Sequence, residues 1–391
     1  MTVAPSSLHI SSDFDSGNIQ VLEASNPLNV KLAIKPDSKS QHFQWFHFKA
    51  SGLTPGQSHT FCLTNASQSS YNKAWDGYNA VASYDHEHWF RVPTTFDGAS
   101  LNITLDAEHR EVWFAYFEPY SRERHDRLIK DAQQWSGCEV LAVGQSAEGR
   151  DIELLRKGTG TGTSTGTGTA NKHKIWIIAQ QHPGEHMAEW FMEGIFKRLE
   201  QGSDPQLRKL LDYADLYLIP NMNPDGALHG HLRTNANGQD LNRAWQNPCS
   251  QVSPEVFFAL EQMKKHGVDL FLDIHGDEEI PYVFTAGCEG NPGYTPRLAA
   301  LEARFRDDLK ARTRDFQTTH GYTRDEPGQA NMTLACNSVG ELFDCLSLTL
   351  EMPFKDNNDA PNPRTGWDGQ RSMQLGNDVL STLSAMVKEL R

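Results

Sequence analysis

The sequence predicts an antiparallel β-sandwich over residues 1–120, followed over residues 121–391 by an α/β domain with a mostly parallel mixed sheet flanked by helices. Its length of 391 residues suits two domains. In the first part, short segments rich in aromatic and β-branched residues alternate with turn signals, which is typical of a sandwich. In the second part, continuous apolar strands alternate with helices, which indicates a sheet covered on both faces.

The N-terminal segments show no convincing helical period. Turn signals such as DSGN, PDSKS, TPGQ and FDGAS separate them. Strands are expected at IQVLE, NVKLAI, HFQWFHFKA, HTFCLT, HWFRV, LNITL and EVWFAYF.

The C-terminal part reads as alternating helices and strands. Helices are expected at RERHDRLIKDAQQW, MAEWFMEGIFKRLEQ, PQLRKLLDYA, SPEVFFALEQMKKHG, RLAALEARFRDDLKARTRDF and NDVLSTLSAMVKELR. Strands are expected at DIELLRKG, KIWIIAQ, DLYLIP, VDLFLDI and CLSLTLEM. The Gly/Thr run at 158–170 is interpreted as a flexible surface loop without chemistry. Because ligands bind at the carboxyl ends of such strands, polar chemistry should cluster there.

Charge and composition argue against several classes of function. Fifty acidic against 36 basic residues give a net charge of −14, which repels nucleic acid and anionic membranes. The N-terminus lacks the features of a secretory signal, and no apolar run approaches the roughly 18 residues of a membrane span. Six scattered cysteines without a C-x-x-C pair indicate buried free thiols. A cytoplasmic location is expected.

Polar side chains do lie at the ends of the predicted strands. His182 and Glu185 follow KIWIIAQ, His275 follows VDLFLDI, and Glu351 ends CLSLTL. A catalytic zinc site uses three protein ligands, such as two His and one Glu, and keeps a fourth position open. The first two residues can provide ligands from one Pro-Gly turn, and His275 can add the third from across the sheet. A lone Glu that ends an apolar run can be a satisfied edge residue, but burying a carboxylate without a partner is costly. A carboxylate next to a metal-bound water is the usual general base for hydrolysis, and Glu351 fits that role.

The His-x-x-Glu spacing alone is weak evidence, because it occurs three times. His186 and Glu189 fall within a predicted helix, where such pairs are common. Glu278, which completes the third pair, lies in the acidic loop GDEE. An exposed polar loop or helix face is the alternative for any single pair, and we retain it for these three residues.

A further group lies in the segment HLRTNANGQDLNRAW. Arg233, Asn242 and Arg243 place two guanidinium groups and an amide within a dozen residues. Arginine binds carboxylates through a planar fork, so the group suits a substrate with a free carboxylate beside a scissile carbonyl. The alternative is a set of surface salt bridges to nearby acidic residues: Asp215, Asp225 and Asp240.

Together these motifs resemble the M14-type zinc metallocarboxypeptidases, and within them the cytosolic carboxypeptidase branch in its short bacterial form. HPGE, NPDG, R…GxDLNR, DIHG and TLEMPF occur in this order between residues 182 and 354. GRDIELL and WFAYFEPYS are supporting matches. The ordered set is far more specific than any single motif. The branch carries a β-sandwich before a carboxypeptidase-like catalytic domain, in agreement with the shift in composition.

The resemblance implies a role for each candidate residue and one Zn²⁺ per chain. It implies that the zinc ligands are His182, Glu185 and His275, and that the general base is Glu351. It also implies that Arg233 polarises the scissile carbonyl, and that Asn242 and Arg243 bind the terminal carboxylate. The family also has a Tyr that closes over substrate. Tyr322 and Tyr282 are both candidates, and either can instead be a packing residue.

The expected function is zinc-dependent hydrolysis of the C-terminal peptide bond of peptides or proteins. The resemblance implies acidic terminal residues, so terminal glutamate is the expected product, although Arg324 is the only cation between Tyr322 and Glu351. Two alternatives stay open: a zinc-dependent N-acyl amino acid hydrolase and a non-catalytic zinc-containing binding protein. A peptide or protein C-terminus is the expected partner, and the sequence does not indicate an oligomeric state.

Overall fold

The structure is a computed structural model that describes residues 8–158, 172–201 and 204–390. Most of the Gly/Thr run at 158–170 lies outside the described residues. The predicted fold class is confirmed: two N-terminal sheets precede a mixed sheet flanked by helices. The domain boundary at residue 120 stays a prediction. Among the described residues, no helix combines the length and the apolar composition needed to cross a membrane.

The described N-terminal strands form two five-stranded sheets, in the orders β1-β4-β10-β6-β7 and β2-β3-β5-β9-β8. Every pair is antiparallel except β3 with β5. The strands are β1 (His9–Ser11), β2 (Gln20–Glu23), β3 (Asn29–Ala33), β4 (His47–Ser51), β5 (Ser58–Leu63), β6 (Val81–Ser83), β7 (Trp89–Arg91), β8 (Thr94–Phe96), β9 (Leu101–Asp106) and β10 (Glu111–Ala115).

The two N-terminal sheets pack face to face as a sandwich. Phe61 of one sheet lies with its ring centroid 5.7 Å from Phe48 and 4.7 Å from Phe114, which belong to the other sheet. All three rings are fully buried. Aromatic side chains remove large apolar areas from water, so this contact stabilises the sandwich.

The C-terminal part contains a seven-stranded sheet in the order β11-β12-β14-β13-β15-β17-β16. The four central strands are parallel, and the others pair antiparallel. In the described residues its strands are β11 (Cys138–Gln145), β12 (Asp151–Lys157), β13 (His173–Ala179), β14 (Ala214–Ile219), β15 (Leu270–Asp277), β16 (Phe284–Ala286) and β17 (Leu346–Pro353). The helices are α1 (Arg122–Ala132), α2 (Met187–Gln201), α3 (Pro205–Tyr213), α4 (Pro224–His229), α5 (Pro254–His266), α6 (Pro296–Arg312), α7 (Ala335–Phe343) and α8 (Gly369–Met386).

Helices cover both faces of this sheet, which explains the continuous apolar strands. Along β13, Ile175 and Ile177 belong to one buried cluster with α2 and α8, whereas Trp176 and Ile178 belong to another with α5. Alternate residues of a strand point to opposite faces, so both faces need apolar side chains. The carboxyl ends of β13, β14, β15 and β17 therefore meet at one edge of the sheet.

Several elements differ from the sequence prediction. Strands β1, β6, β8, β11 and β16 and helices α4 and α7 were not predicted, and α8 begins at Gly369 rather than near residue 377. His275 lies within β15 rather than after it, whereas Glu351 lies within β17 as expected. The prediction of buried thiols is right for four cysteines, but Cys249 is exposed and Cys62 is partly exposed.

Candidate active site

The turn between β13 and α2 brings His182 and Glu185 together, and β15 adds His275. Nδ1 of His182 lies 2.6 Å from Oε1 of Glu185, and Nδ1 of His275 lies 2.8 Å from Oε2 of the same carboxylate. Potential ligand atoms of the three residues all lie within 4.8 Å of one another, and all three side chains are buried. Among the described residues this is the one group of three or more such side chains that can hold a metal ion.

A second carboxylate orients each imidazole of this group. Nε2 of His275 lies 2.9 Å from Oδ2 of Asp273, and Nε2 of His182 lies 3.0 Å from Oδ1 of Asp240. Such contacts fix the ring and direct the other nitrogen at the metal, as in many zinc sites. Two nitrogens and a carboxylate are a donor set that zinc accepts, so the residues fit the ion. Sequence reasoning assigned neither aspartate this role, although Asp273 stands two positions before His275 on one face of a strand.

Burial and charge set the protonation of the site's carboxyl groups. Burial acts to raise the pKa of Glu185, but the two neighbouring imidazoles outweigh it and lower that pKa to about 2. Burial raises the pKa of Glu351 to about 8, against the opposing effect of His275 and with added repulsion from Glu185 and Asp277. Burial and the same two carboxylates raise the pKa of Glu278 well above its usual range. Glu278 is therefore a buried residue of the cavity wall, not part of an exposed loop.

Glu351 faces the metal-site residues from the adjacent strand, in direct register with His275. It is 5% exposed, and its Oε1 accepts a hydrogen bond of 3.0 Å from the hydroxyl of Tyr322. Its Oε2 is buried and has no hydrogen-bond partner among the described residues. Both groups line a cavity of about 1240 Å³, together with His182, Glu185 and Arg233. One carboxylate oxygen is thus held by a donor and the other is available to a substrate or water.

Arg233 lies in the same cavity, and its guanidinium is held from two sides. Nε donates to Oδ2 of Asp240 at 2.8 Å, and Nη1 donates to the hydroxyl oxygen of Tyr71 at 2.5 Å. The predicted alternative of a salt bridge is therefore present, but Asp240 is at the same time the orienting partner of His182. Arg233 and the candidate metal ligand His182 therefore share one carboxylate partner, Asp240.

Asn242 and Arg243 lie beside this group in a short turn after Asp240. The side-chain oxygen of Asn242 accepts from the backbone N–H of Ala335 at 2.9 Å, which leaves its amide nitrogen 3.5 Å from Nε2 of His275. The exposed Arg243 donates to the backbone oxygen of Asn242 at 2.9 Å. Both side chains line the cavity. The arrangement offers an amide and a guanidinium to a carboxylate.

The two candidate tyrosines occupy different surroundings. The hydroxyl of Tyr322 lies between two carboxylates, 2.8 Å from Oδ2 of Asp277 and 3.0 Å from Oε1 of Glu351, and its single proton is shared between them. The side chain is 49% exposed, but its hydroxyl end is desolvated, and this and the two carboxylates raise its pKa well above the usual range, so the hydroxyl keeps its proton. Tyr282 instead stacks on His320 at 4.1 Å between ring centroids. The structure brings Tyr322, not Tyr282, to the candidate site.

His186 and Glu189, interpreted above as a surface pair on a helix, are both 1% exposed. His186 stacks on Trp45 at 4.2 Å between centroids, and burial lowers its pKa to about 3. Glu189 contacts His125, whose other ring nitrogen lies 3.1 Å from Glu153. Burial acts to lower the pKa of His125, but the two carboxylates outweigh it and raise that pKa to about 9. His186 and Glu189 are therefore buried residues that do not belong to the metal group.

Comparison with known families gives a match over most of the chain. Residues 10–117 match the family described as the cytosolic carboxypeptidase N-terminal domain, and residues 130–364 match the zinc carboxypeptidase family, peptidase M14. The chain belongs to the M14 zinc carboxypeptidases. The prediction of a metallocarboxypeptidase, and so of an enzyme, is confirmed. Family membership implies zinc and does not favour either of the two alternative functions.

Similar proteins of known structure cover nearly the whole length of this M14 chain. A metallo-carboxypeptidase from Pseudomonas aeruginosa, solved in complex with (2-guanidinoethylmercapto)succinic acid, is 62% identical, with a TM-score of 0.94 over 98% of this chain and 100% of that chain. One from Burkholderia cenocepacia is 44% identical, with a TM-score of 0.92 over 98% and 99%. Cytosolic carboxypeptidase 1 of Xenopus laevis is 28% identical over 72% of this chain, which spans 26% of that protein.

Proposed function

We propose that this M14 protein removes single residues from the C-terminus of peptides or proteins, with zinc held by His182, Glu185 and His275. One observation carries the proposal. One cavity at one edge of the sheet is lined by the three ligand residues, by Glu351 and by Arg233. Glu351 has a buried oxygen without a partner among the described residues, and Arg233 shares its partner Asp240 with the ligand His182. When bound, zinc supplies a Lewis acid that activates water and polarises a carbonyl oxygen.

The chain's own residues account for the remaining chemistry. A cation held by the neighbouring His–Glu–His group would lower the raised pKa of Glu351 and favour its charged form. That carboxylate takes a proton from the attacking water on Oε2 and passes it to the leaving amine, while Tyr322 contacts Oε1. Arg233 donates to the oxygen of the scissile carbonyl as negative charge develops there. Asn242 and Arg243 bind the terminal carboxylate, which restricts cleavage to the last peptide bond.

Glutamate is proposed as the terminal residue released. Arg324 lines the cavity, and its side chain is 68% exposed with a 3.2 Å contact to Glu289, so it can turn towards an acidic side chain. Arg306, also on the cavity wall, is already paired with Glu302 at 2.6 Å. The Pseudomonas relative was solved with a ligand that carries both a succinic acid group and a guanidino group. That ligand is consistent with a cleft that accepts carboxylates, and it does not favour an acidic over a basic terminal side chain.

The test uses matched peptides that differ only in the last residue or in the terminal carboxylate. Wild-type protein with zinc should release one residue from a free C-terminus and leave the amidated peptide intact. Internal cleavage, or equal cleavage of the amidated peptide, would contradict the exopeptidase assignment. Preference for terminal lysine or leucine over glutamate would reject only the glutamate part. Preferential hydrolysis of N-acyl amino acids would favour the alternative hydrolase.

The location in the cytoplasm also remains part of the proposal. It agrees with the name of the cytosolic carboxypeptidase relatives. Detection of the protein in a cell fraction other than the cytoplasm would contradict it.

A further inference from the structure

The segment that carries Arg233 is clamped by the N-terminal sandwich. The backbone N–H of Ser16 donates to the carbonyl of Leu228 at 3.0 Å, and the side chain of Asn18 donates to the carbonyl of Gly230 at 2.8 Å. Gly230 has a φ of 66°, and a Cβ there would lie 2.6 Å from the oxygen of Ser16. Only glycine allows this approach, so the contact between the two backbones is built into the chain.

A single buried carboxylate of the sandwich organises the backbone on both sides of Arg233. Asp37, 2% exposed, accepts the backbone N–H groups of Leu232 at 2.6 Å, Arg233 at 2.9 Å and Thr234 at 2.8 Å. It also accepts from the hydroxyl of Thr234 at 3.1 Å. Consecutive N–H groups form a nest for an anion, and a buried carboxylate needs such donors. Asp37 therefore fixes the backbone from which the guanidinium projects.

A second residue of the sandwich reaches the guanidinium itself. The hydroxyl oxygen of Tyr71 accepts from Nη1 of Arg233 at 2.5 Å, and its ring lies 5.8 Å from the guanidinium carbon. Gln44 holds the backbone of Tyr71 through two hydrogen bonds, of 2.8 and 3.1 Å. Tyr71 also lines the cavity beside His182. The guanidinium thus has Asp240 on Nε and a sandwich tyrosine on Nη1.

We propose that the sandwich completes the catalytic site, with Asp37 as a positioning residue for Arg233 and Tyr71 as a residue that touches the substrate. This inference rests on the proposed role of Arg233 at the scissile carbonyl. Burial raises the pKa of Tyr71, so the phenol keeps its proton in neutral solution. Because its oxygen already accepts from Arg233, that proton is available to an acceptor in the cavity. A peptide carbonyl oxygen of the substrate is the acceptor of matching chemistry.

Asp37→Asn tests the positioning role in the zinc-loaded enzyme. Asparagine keeps the shape but replaces one accepting oxygen with an NH₂ group, which faces N–H donors. A small displacement of a catalytic group can cost on the order of 100-fold, so kcat should fall about 10- to 100-fold, with little change in KM. In an Arg233→Ala background the same change should have almost no further effect, because the two residues act as one unit. Equal losses of kcat in both backgrounds would overturn the positioning role.

A matched control separates positioning from loss of domain contact. Asn18→Ala removes a hydrogen bond across the same interface, to Gly230, but does not contact Arg233. It should lower thermal stability and leave kcat close to wild type. Hydrogen–deuterium exchange at the backbone N–H groups of residues 232–234, which Asp37 binds, should rise more in Asp37→Asn than in Asn18→Ala. This readout needs no activity, so an inactive wild-type protein would refute the proposed function while the exchange data still test Asp37.

Tyr71→Phe tests the substrate contact, because it keeps the ring beneath the guanidinium and removes only the hydroxyl. We expect kcat to fall on the order of tenfold, the size typical of one hydrogen bond, with unchanged melting temperature. Tyr84→Phe is the matched control, since the hydroxyl oxygen of Tyr84 accepts from the backbone N–H of Glu108 elsewhere on the sandwich. Unchanged kcat in Tyr71→Phe, or an equal loss in Tyr84→Phe, would overturn the role of Tyr71.

Discussion

Replacement of Asp273 by Asn should weaken zinc binding while leaving the fold intact. Asp273 is fully buried, and its Oδ2 accepts from Gln181 at 2.8 Å and lies 2.9 Å from Nε2 of His275. Its Oδ1 has no partner among the described residues, so the NH₂ group of Asn can take that position and Oδ can keep both contacts. The substitution therefore removes mainly the negative charge behind His275.

Loss of such an orienting partner typically lowers metal affinity 10- to 100-fold, or about 1.4–2.8 kcal/mol. Titration of the metal-free variant with zinc in competition with a chromogenic chelator measures this change. Asp269→Asn is the matched control, because Asp269 directly precedes β15, at the end of that strand remote from His275. There it accepts from the backbone N–H of Lys174. Its zinc affinity should equal that of wild type. An unchanged affinity in Asp273→Asn would refute the argument that this carboxylate supports the metal site.

Three further changes should have distinct effects. Tyr322→Phe removes the donor to Glu351 and should lower kcat about tenfold or more without loss of zinc, as steady-state kinetics and metal analysis can show; a wild-type kcat would contradict it. The pKa of His125 is raised to about 9 in the folded protein, so its charged form stabilises the fold, by on the order of 3 kcal/mol. This contribution is complete below about pH 6.5 and is lost as the pH rises through 9. The gap in melting temperature between wild type and His125→Gln should therefore narrow on going to alkaline pH, and a widening gap would refute the assignment. Gly194→Ala should lower the free energy of unfolding by about 1–3 kcal/mol, because the new Cβ would lie 2.1 Å from the backbone oxygen of Met373. An unchanged midpoint of denaturant unfolding would show that α2 and α8 can move apart without cost.

The metal group could be predicted because its residues come from short motifs at strand ends. The polarity of His275 suggested that its strand stops before it, whereas β15 continues to Asp277. The strand that carries Glu351 was expected and ends at Pro353. Backbone pairing is independent of side-chain polarity, so a strand can extend through a buried polar residue when neighbouring groups satisfy it. The structure brings the candidate site residues together, and their roles stay predictions. His275 lies inside β15, whereas it was expected after the strand.

Contacts that join distant parts of the chain could not be predicted from spacing. Asp37 and Tyr71 lie more than 150 residues before Arg233, and no local pattern connects them. Helix α7 was missed because ACNSVGELF contains Gly, Asn and Ser, which have low helix propensity, and it is stabilised by packing on β15 and β17. Strand β11 was missed because an edge strand with a half-exposed surface has weak alternation.

The most direct test of the account is Glu351→Gln, examined for zinc content and for release of the terminal residue from one peptide. The isosteric amide cannot take a proton from water, and general-base catalysis contributes about 10²–10⁴-fold. We expect one zinc per chain in both proteins and a loss of turnover of that size in the variant. Turnover near that of wild type in zinc-loaded Glu351→Gln would contradict the role of Glu351 as the general base of a zinc carboxypeptidase.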